Sequence, residues 1–295
     1  MQTTLSCIPC LIKQGIKITN FLNIDNSKNE EMIREILNLL KDEDYKNTPP
    51  YLAKKVYSII CKFTETNDPY KKIKKHYNKE ILEMREDLKK IIKDSPDSFN
   101  TALKLAITGN IIDFGTEYNI TKELILNKLE EVHRKSLKID NSIEMYEKLK
   151  KSKNLLYLGD NCGEIVLDKI FIEYIKNIFP NLNIFYGVRG KPIINDVTLE
   201  DAKMVKMEEV AKVLDNGDGA PGTVIKDVKD EFRKLFYTSD IIIAKGQGNY
   251  ETLSGIDRNH VYMLFMAKCD VIADKIGVEP MSLICMKNIN SESIS

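Results

Sequence analysis

Five short apolar runs punctuate the chain after residue 150: Leu155–Leu158, Ile184–Val188, Ile241–Ala244, Val261–Ala267 and Ser282–Cys285, with helix-period stretches between them. Runs of this length are strands buried on both faces. Their alternation with helices is βαβ texture, which requires a mostly parallel sheet covered by helices. The first half has a different texture. Ile33, Ile36, Leu37 and Leu40 recur at helical spacing, as do Tyr77, Ile81, Met84, Leu88, Ile91 and Ile92, and a third segment spans Leu124 to Val132. Pro49-Pro50, Pro69 and the turn Asp94-Ser95-Pro96-Asp97 are natural breaks between helices. The expected fold is therefore α/β: a Rossmann-like sheet flanked by helices over residues 151–295, with a mainly helical region over residues 1–150 that packs on it and covers the crevice.

Composition narrows the function classes. The 295 residues are 43% hydrophobic, and no apolar run is long enough to cross a bilayer, so no membrane role is expected. Lysine plus arginine balance aspartate plus glutamate at 44 each. Residues 1–150 hold 26 basic and 23 acidic side chains against 18 and 21 in the rest, which leaves no basic footprint for nucleic acid. The six cysteines are unevenly spaced and the opening MQTTLSCIPC is not a signal peptide, so a reduced cytoplasmic protein is expected.

Chemistry concentrates where apolar runs stop. LLYLGDNCGE ends a strand at Gly159 and follows it with Asp160, Asn161 and Glu164. In an open α/β sheet the carboxyl edge is where ligands bind, and the following helix, marked by Leu167, Ile170, Phe171, Tyr174 and Ile178, aims its amino terminus into the same crevice. Adjacent carboxylate and amide oxygens suit a hard cation such as Mg²⁺ or Mn²⁺. A plainer reading has Asp160 capping that helix and Asn161 making a turn. The second motif, VRGKPIINDVT at 188–198, tips the balance: Asp196 would complete the oxygen shell from a neighbouring strand end, while Arg189 and Lys191 offer positive charge to an anion. Its own plain reading is a surface turn with Asp196 capping the next helix.

Two further motifs follow strands. In AKGQGNYETL, Gly246 and Gly248 let backbone N–H groups approach an anion and Lys245 adds charge, although the pattern is neither a Walker loop nor a full GxGxxG and also reads as a glycine turn. Lys268, at the end of the run Val261–Ala267, occupies the equivalent edge position. Near the amino terminus, Cys7-Ile8-Pro9-Cys10 is a CxxC turn able to hold metal or form a disulfide, but no second pair supplies the four ligands of structural zinc. In GNIIDFG, Asn110 and Asp113 either face the crevice or end a helix.

Taken together, GDNCGE, VRGKPIINDVT, KGQGNYETL and the MAKCD around Lys268 resemble the domain-of-unknown-function 89 family, the damage-control phosphatases. The early CIPC and the GNIIDFG resemble its prokaryotic subgroup, and the likeness spans nearly the whole chain. The resemblance implies hydrolysis of phosphorylated metabolites, such as sugar phosphates, in metabolite damage control. It also implies a divalent metal (Mg, Mn, Co or Ni) held by Asp160, Asn161 and Asp196, and phosphate contacts from Lys245 to Asn249 and from Lys268, with Glu164 in support. Cys162 stands where relatives often carry alanine. The expected partner is a small phosphoester. Two other classes share these residues: a non-catalytic metal or thiol module centred on Cys7 and Cys10, and a nucleotide-dependent transferase using the same sheet edge.

Overall fold

The computed structural model describes residues 1–22, 24–109, 135–258 and 260–288. Its centre is a seven-stranded sheet: β1 (Ile139–Asp140), β2 (Asn154–Leu158), β3 (Asn183–Val188), β4 (Lys212–Asp215), β5 (Ile241–Lys245), β6 (Val261–Ala267) and β7 (Ser282–Lys287). The spatial order is β1-β7-β6-β5-β2-β3-β4, and only the β6–β7 pair is antiparallel. The five apolar runs are all strands. β1 and β4 are additional: β1 has two residues and β4 is only half-buried at the sheet edge, so neither presents a continuous apolar run. β1 precedes residue 150 and pairs with β7, so the sheet draws on the first half of the chain as well.

Twelve α-helices are present among the described residues. In the first half they are α1 (Ile8–Leu22), α2 (Asn26–Asp42), α3 (Pro49–Thr64), α4 (Lys71–Glu83), α5 (Arg85–Asp94) and α6 (Ser98–Thr108). Their starts follow local chemistry. The Asp25 carboxylate caps α2 by accepting from the Ser27 N–H at 3.0 Å, and Thr48 caps α3, whose first two positions are the prolines. The Asp97 carboxylate caps α6 by accepting from the Asn100 N–H at 3.0 Å. The periodic series from Tyr77 to Ile92 forms two helices instead of one, because the backbone leaves helical geometry at Met84. That break lets Tyr77, Ile81, Leu88 and Ile92 all reach one core. The segment Leu124 to Val132 lies outside the described residues.

The remaining helices are α7 (Ser142–Lys151), α8 (Glu164–Ile178), α9 (Leu199–Met204), α10 (Asp230–Thr238), α11 (Gly246–Leu253) and α12 (Asp270–Ile276). Strand side chains alternate between two cores, as a period of two demands. Leu155 and Tyr157 join α4, α5, α6 and α8 on one face, while Leu156 and Leu158 meet Phe232 and Phe236 of α10 on the other. A third cluster, built on α1–α3 and reaching Ile193, forms a helical layer whose α3 also packs on α11. Lys54 of α3 pins this layer to the sheet domain, donating to Asp218 at 2.8 Å and Asp227 at 2.9 Å. No helix among the described residues is long and apolar enough to cross a membrane.

Candidate active site

Strand order reverses between β2 and β5: from β2 the chain moves out through β3 and β4, and from β5 it moves the other way to β6. A crevice opens at such a switch point, beyond the carboxyl ends of the two strands. Asp160 follows β2 there and Gly246 follows β5. At Gly246 φ is +79°, and a β-carbon would collide with the Asp160 carboxylate, so only glycine lets the α11 backbone lie against that group.

The loops after β2 and β3 are sewn together. Asn161 and Asp196 form an antiparallel bridge, the Val197 N–H donates to the Asp160 carbonyl at 2.8 Å, and the Cys162 N–H donates to the Asn195 carbonyl at 2.9 Å. Asp160, Asn161 and Asp196 thereby converge at one buried spot. Asn161 Nδ2 donates to Asp160 Oδ2 at 2.6 Å. Beneath them, the buried Arg189 guanidinium donates to Asp196 at 2.7 Å and to Asp160 at 3.4 Å. Burial and the charge of Asp196 push the Asp160 carboxyl up to about 7, against the pull of Arg189, Lys245 and Lys268. Burial pushes Asp196 up to about 6, with Arg189 opposing. Asp196 does not cap the next helix; Thr198 caps α9, with a reciprocal bond from its backbone to Asp201.

A buried ionic cluster supports the Asp160-Asn161 turn. Lys245 is fully buried and donates to Glu164 at 2.5 Å and Asp168 at 2.6 Å. Asp168 also accepts from Tyr157 at 2.7 Å and Tyr186 at 2.9 Å. Glu164 in turn accepts the Asn161 backbone N–H at 3.4 Å. Burial alone would lower the Lys245 ammonium, but Asp168 and Glu164 outweigh it and raise it on balance. Burial drives Glu164 up to about 7, Lys245 opposing and Asp168 adding to the rise.

These contacts engage three side chains that were expected to touch phosphate. Lys245 does not line the cleft, and its ammonium is enclosed by the Glu164 and Asp168 carboxylates. Asn249 is buried as well, donating to the Lys245 carbonyl at 2.7 Å and accepting from Thr223 at 2.8 Å, so it braces the β5–α11 turn. Arg189 likewise serves the two carboxylates. Lys191 is exposed and does not line the cleft. Lys268 is exposed at the sheet edge, where its charge reaches Asp160 and its backbone N–H donates to Gln247 at 3.2 Å. Gly248 lines the cleft with its backbone packed on the Pro221 carbonyl. Asn110 and Asp113 lie outside the described residues, but Gly109 just before them abuts Glu164.

Above this floor is a cleft of about 290 Å³. Asp160, Asn161 and Asp196 line its base, and Gln247, Gly248 and Glu251 of α11 form one wall. Leu11, Pro49, Pro50 and Ala53 of the helical layer form another. Cys7, Cys10 and Cys269 also open onto it, which brings the CxxC turn to the same cavity. Among the described residues no three His, Cys, Asp or Glu side chains are grouped for a metal ion. With the Asn161 amide counted, Asp160, Asn161 and Asp196 bring three oxygen-bearing side chains together.

Several site residues escaped the sequence reading: Asp168, Tyr157 and Tyr186 in the ionic cluster, Asn78, and Gln247 with Glu251. A signal existed for Asp168, which lies four residues after Glu164 on the same helix, so the two share a face. Asn78 carried none. It reaches across from α4, where its side-chain oxygen accepts the Gly163 N–H at 2.6 Å and its amide donates to Asp201 at 3.0 Å.

A mostly parallel sheet with an acidic, amide-bearing crevice at its switch point defines an α/β protein with a ligand site at its sheet edge, and residues 3–284 match the Damage-control phosphatase ARMT1-like domain. The chain belongs to this DUF89 family of damage-control phosphatases. It is 33% identical to a damage-control phosphatase of Pyrococcus horikoshii over 98% of this chain and 99% of that one. It is also 32% identical to a damage-control phosphatase of Archaeoglobus fulgidus, over 94% and 96% of the two chains. An uncharacterized protein of Methanocaldococcus jannaschii is 34% identical over 95% and 94%. The crystal structure of the Pyrococcus horikoshii DUF89 family protein superposes with a TM-score of 0.88 at 33% identity, covering 98% of this chain and all of that one.

Proposed function

We propose that this phosphatase is a metal-dependent phosphomonoesterase of small phosphorylated metabolites, with its reaction centre at Asp160, Asn161 and Asp196. One observation carries the reading: two buried carboxylates and an amide converge at the base of a cleft, with a single guanidinium between the carboxylates. Two carboxylates offset by one arginine leave a net negative charge, and both carboxyls are raised by burial. A bound dication would relieve both effects. The donors are hard oxygens, which suit Mg²⁺, Mn²⁺, Co²⁺ or Ni²⁺.

When bound, the metal would polarise the phosphoryl group and the attacking water. The chain supplies the rest. First-turn N–H groups of α11, at Gly246, Gln247 and Gly248, have no partner within the helix and meet the phosphate oxygens. Lys268 adds positive charge at the rim. Asp160 orients the water and receives its proton as oxygen attacks phosphorus. Arg189 fixes both carboxylates, and the cluster of Lys245, Glu164 and Asp168 holds the Asp160-Asn161 turn in place. The cleft has room for a small phosphoester, consistent with sugar phosphates and a role in metabolite damage control.

The test is phosphate release from a small panel of sugar phosphates and a generic phosphomonoester, by chelated protein resupplied with each divalent metal. D160A and D196A are assayed beside it. Metal-dependent turnover absent from both folded variants supports the reading; turnover that survives chelation, or either substitution, overturns it.

A further inference from the structure

Hydrolysis of an alkyl phosphate leaves an alkoxide that must be protonated, and the residues at the base of the cleft are engaged elsewhere: Asp160 and Asp196 with Arg189, and Glu164 with Lys245. Three carboxyl groups line the cleft, and the third is Glu251. It lies on α11, whose first residue rests against Asp160, and four residues after Gln247, so the two side chains share the cleft-facing side of the helix. The five-residue step from Gly246 to Glu251 rises about 7.5 Å along a helix, room for one phosphoryl group between the Asp160 end and Glu251.

The surroundings prepare this carboxyl to donate. Gln247 Nε2 donates to Glu251 Oε1 at 3.0 Å, which fixes the group; this bond and the Met1 ammonium favour the carboxylate, and burial outweighs both. The other titratable groups lining the cleft are the thiols of Cys7, Cys10 and Cys269. Burial pushes the Cys269 thiol up, making it a poorer donor near neutrality.

Resting on the phosphatase reading, we propose that Glu251 is the general acid of the reaction, positioned by Gln247. As water oxygen bonds to phosphorus, the bond from phosphorus to the leaving oxygen breaks and its electron pair goes to that oxygen. Glu251 Oε2 transfers its proton there, releasing a neutral alcohol and becoming a carboxylate. The proton lost by the attacking water, taken first by Asp160, restores the balance through solvent. Burial supports the assignment by holding the Glu251 carboxyl up at about 7.

The experiment compares an alkyl phosphate, glycerol phosphate, with 4-nitrophenyl phosphate, whose nitrophenolate departs without a proton. E251Q keeps an oxygen for the Gln247 hydrogen bond but cannot donate. It is expected to lower kcat for glycerol phosphate by about 100-fold or more and kcat for the nitrophenyl ester by less than about 10-fold. E251D, which keeps an acid, is expected to retain the wild-type ratio of the two rates more closely than E251Q does, and it serves as the test if E251Q does not fold. Equal losses on both esters, or no loss on either, overturn the assignment while leaving the phosphatase reading intact. A wild-type protein silent on both esters with every metal overturns the phosphatase reading and this inference with it.

Discussion

Gly246 and Asp160 come from strands more than eighty residues apart, yet a single added methyl group on Gly246 would strike the Asp160 carboxylate. The helix that begins at Gly246 is therefore seated on the proposed reaction centre. G246A places a side chain in left-handed backbone, costing roughly 1–2 kcal/mol before any collision. The substitution must also displace Asp160. We predict a lower melting temperature and a loss of turnover of about 100-fold, since a misplacement of 1 Å is worth that much. A variant that melts earlier but turns over normally would show that Asp160 tolerates displacement.

Lys245 gives a second prediction. Its ammonium is enclosed by Glu164 and Asp168, so K245M strands two carboxylates in the core, a change that costs about 3–5 kcal/mol. Urea unfolding should show it as a large fall in midpoint. A lysine that instead contacted phosphate would, when replaced, raise KM and leave the midpoint nearly unchanged.

The pH dependence of stability follows from Glu251, whose surroundings include the Met1 amino group, Tyr250, Gln247 and Cys269. Burial raises its carboxyl from the ordinary 4.5 to about 7 in the folded chain. Between those values the folded state holds a proton that the unfolded state has lost. The stabilising contribution is thus complete below about pH 4.5 and is lost as pH rises through about 7. E251Q lacks this titration. The stability difference between wild type and E251Q, measured by urea unfolding at a series of pH values, should shift against the wild type by on the order of 1–3 kcal/mol across that window. A pH-independent difference would show that the carboxyl titrates normally.

Thiol labelling reports on the cleft. Cys10 is exposed, Cys7 and Cys269 are partly buried, and Cys162 and Cys285 are buried. Iodoacetamide should modify Cys10 first and Cys162 and Cys285 last, read by peptide mass spectrometry. Because Cys7 and Cys10 line the cleft, turnover should fall as they react, and inorganic phosphate with metal should slow the labelling. Full activity after both are alkylated would place them away from the substrate's path.

The short apolar runs were legible as strands because a parallel strand is buried on both faces and must be apolar throughout. The same logic hid β1 and β4, which are short or half-buried at the sheet edge. The convergence of Asp160, Asn161 and Asp196 was legible too, since consecutive strand ends in a βαβ unit share one edge. Which charge meets which was not. Lys245 ends its strand near the same sheet edge as Asp160, but whether it turns out to a ligand or inward to Glu164 and Asp168 depends on how α8 packs beneath the sheet. Glu251 and Cys10 reach the same cleft only because α11 starts against Asp160 and the helical layer folds over it. Local patterning and burial thus determined the elements and the sheet edge from sequence alone. Tertiary packing decided the partners of Lys245 and of the Arg189–Asp160 pair, because those partners lie tens of residues apart and meet only when the strands take their final order.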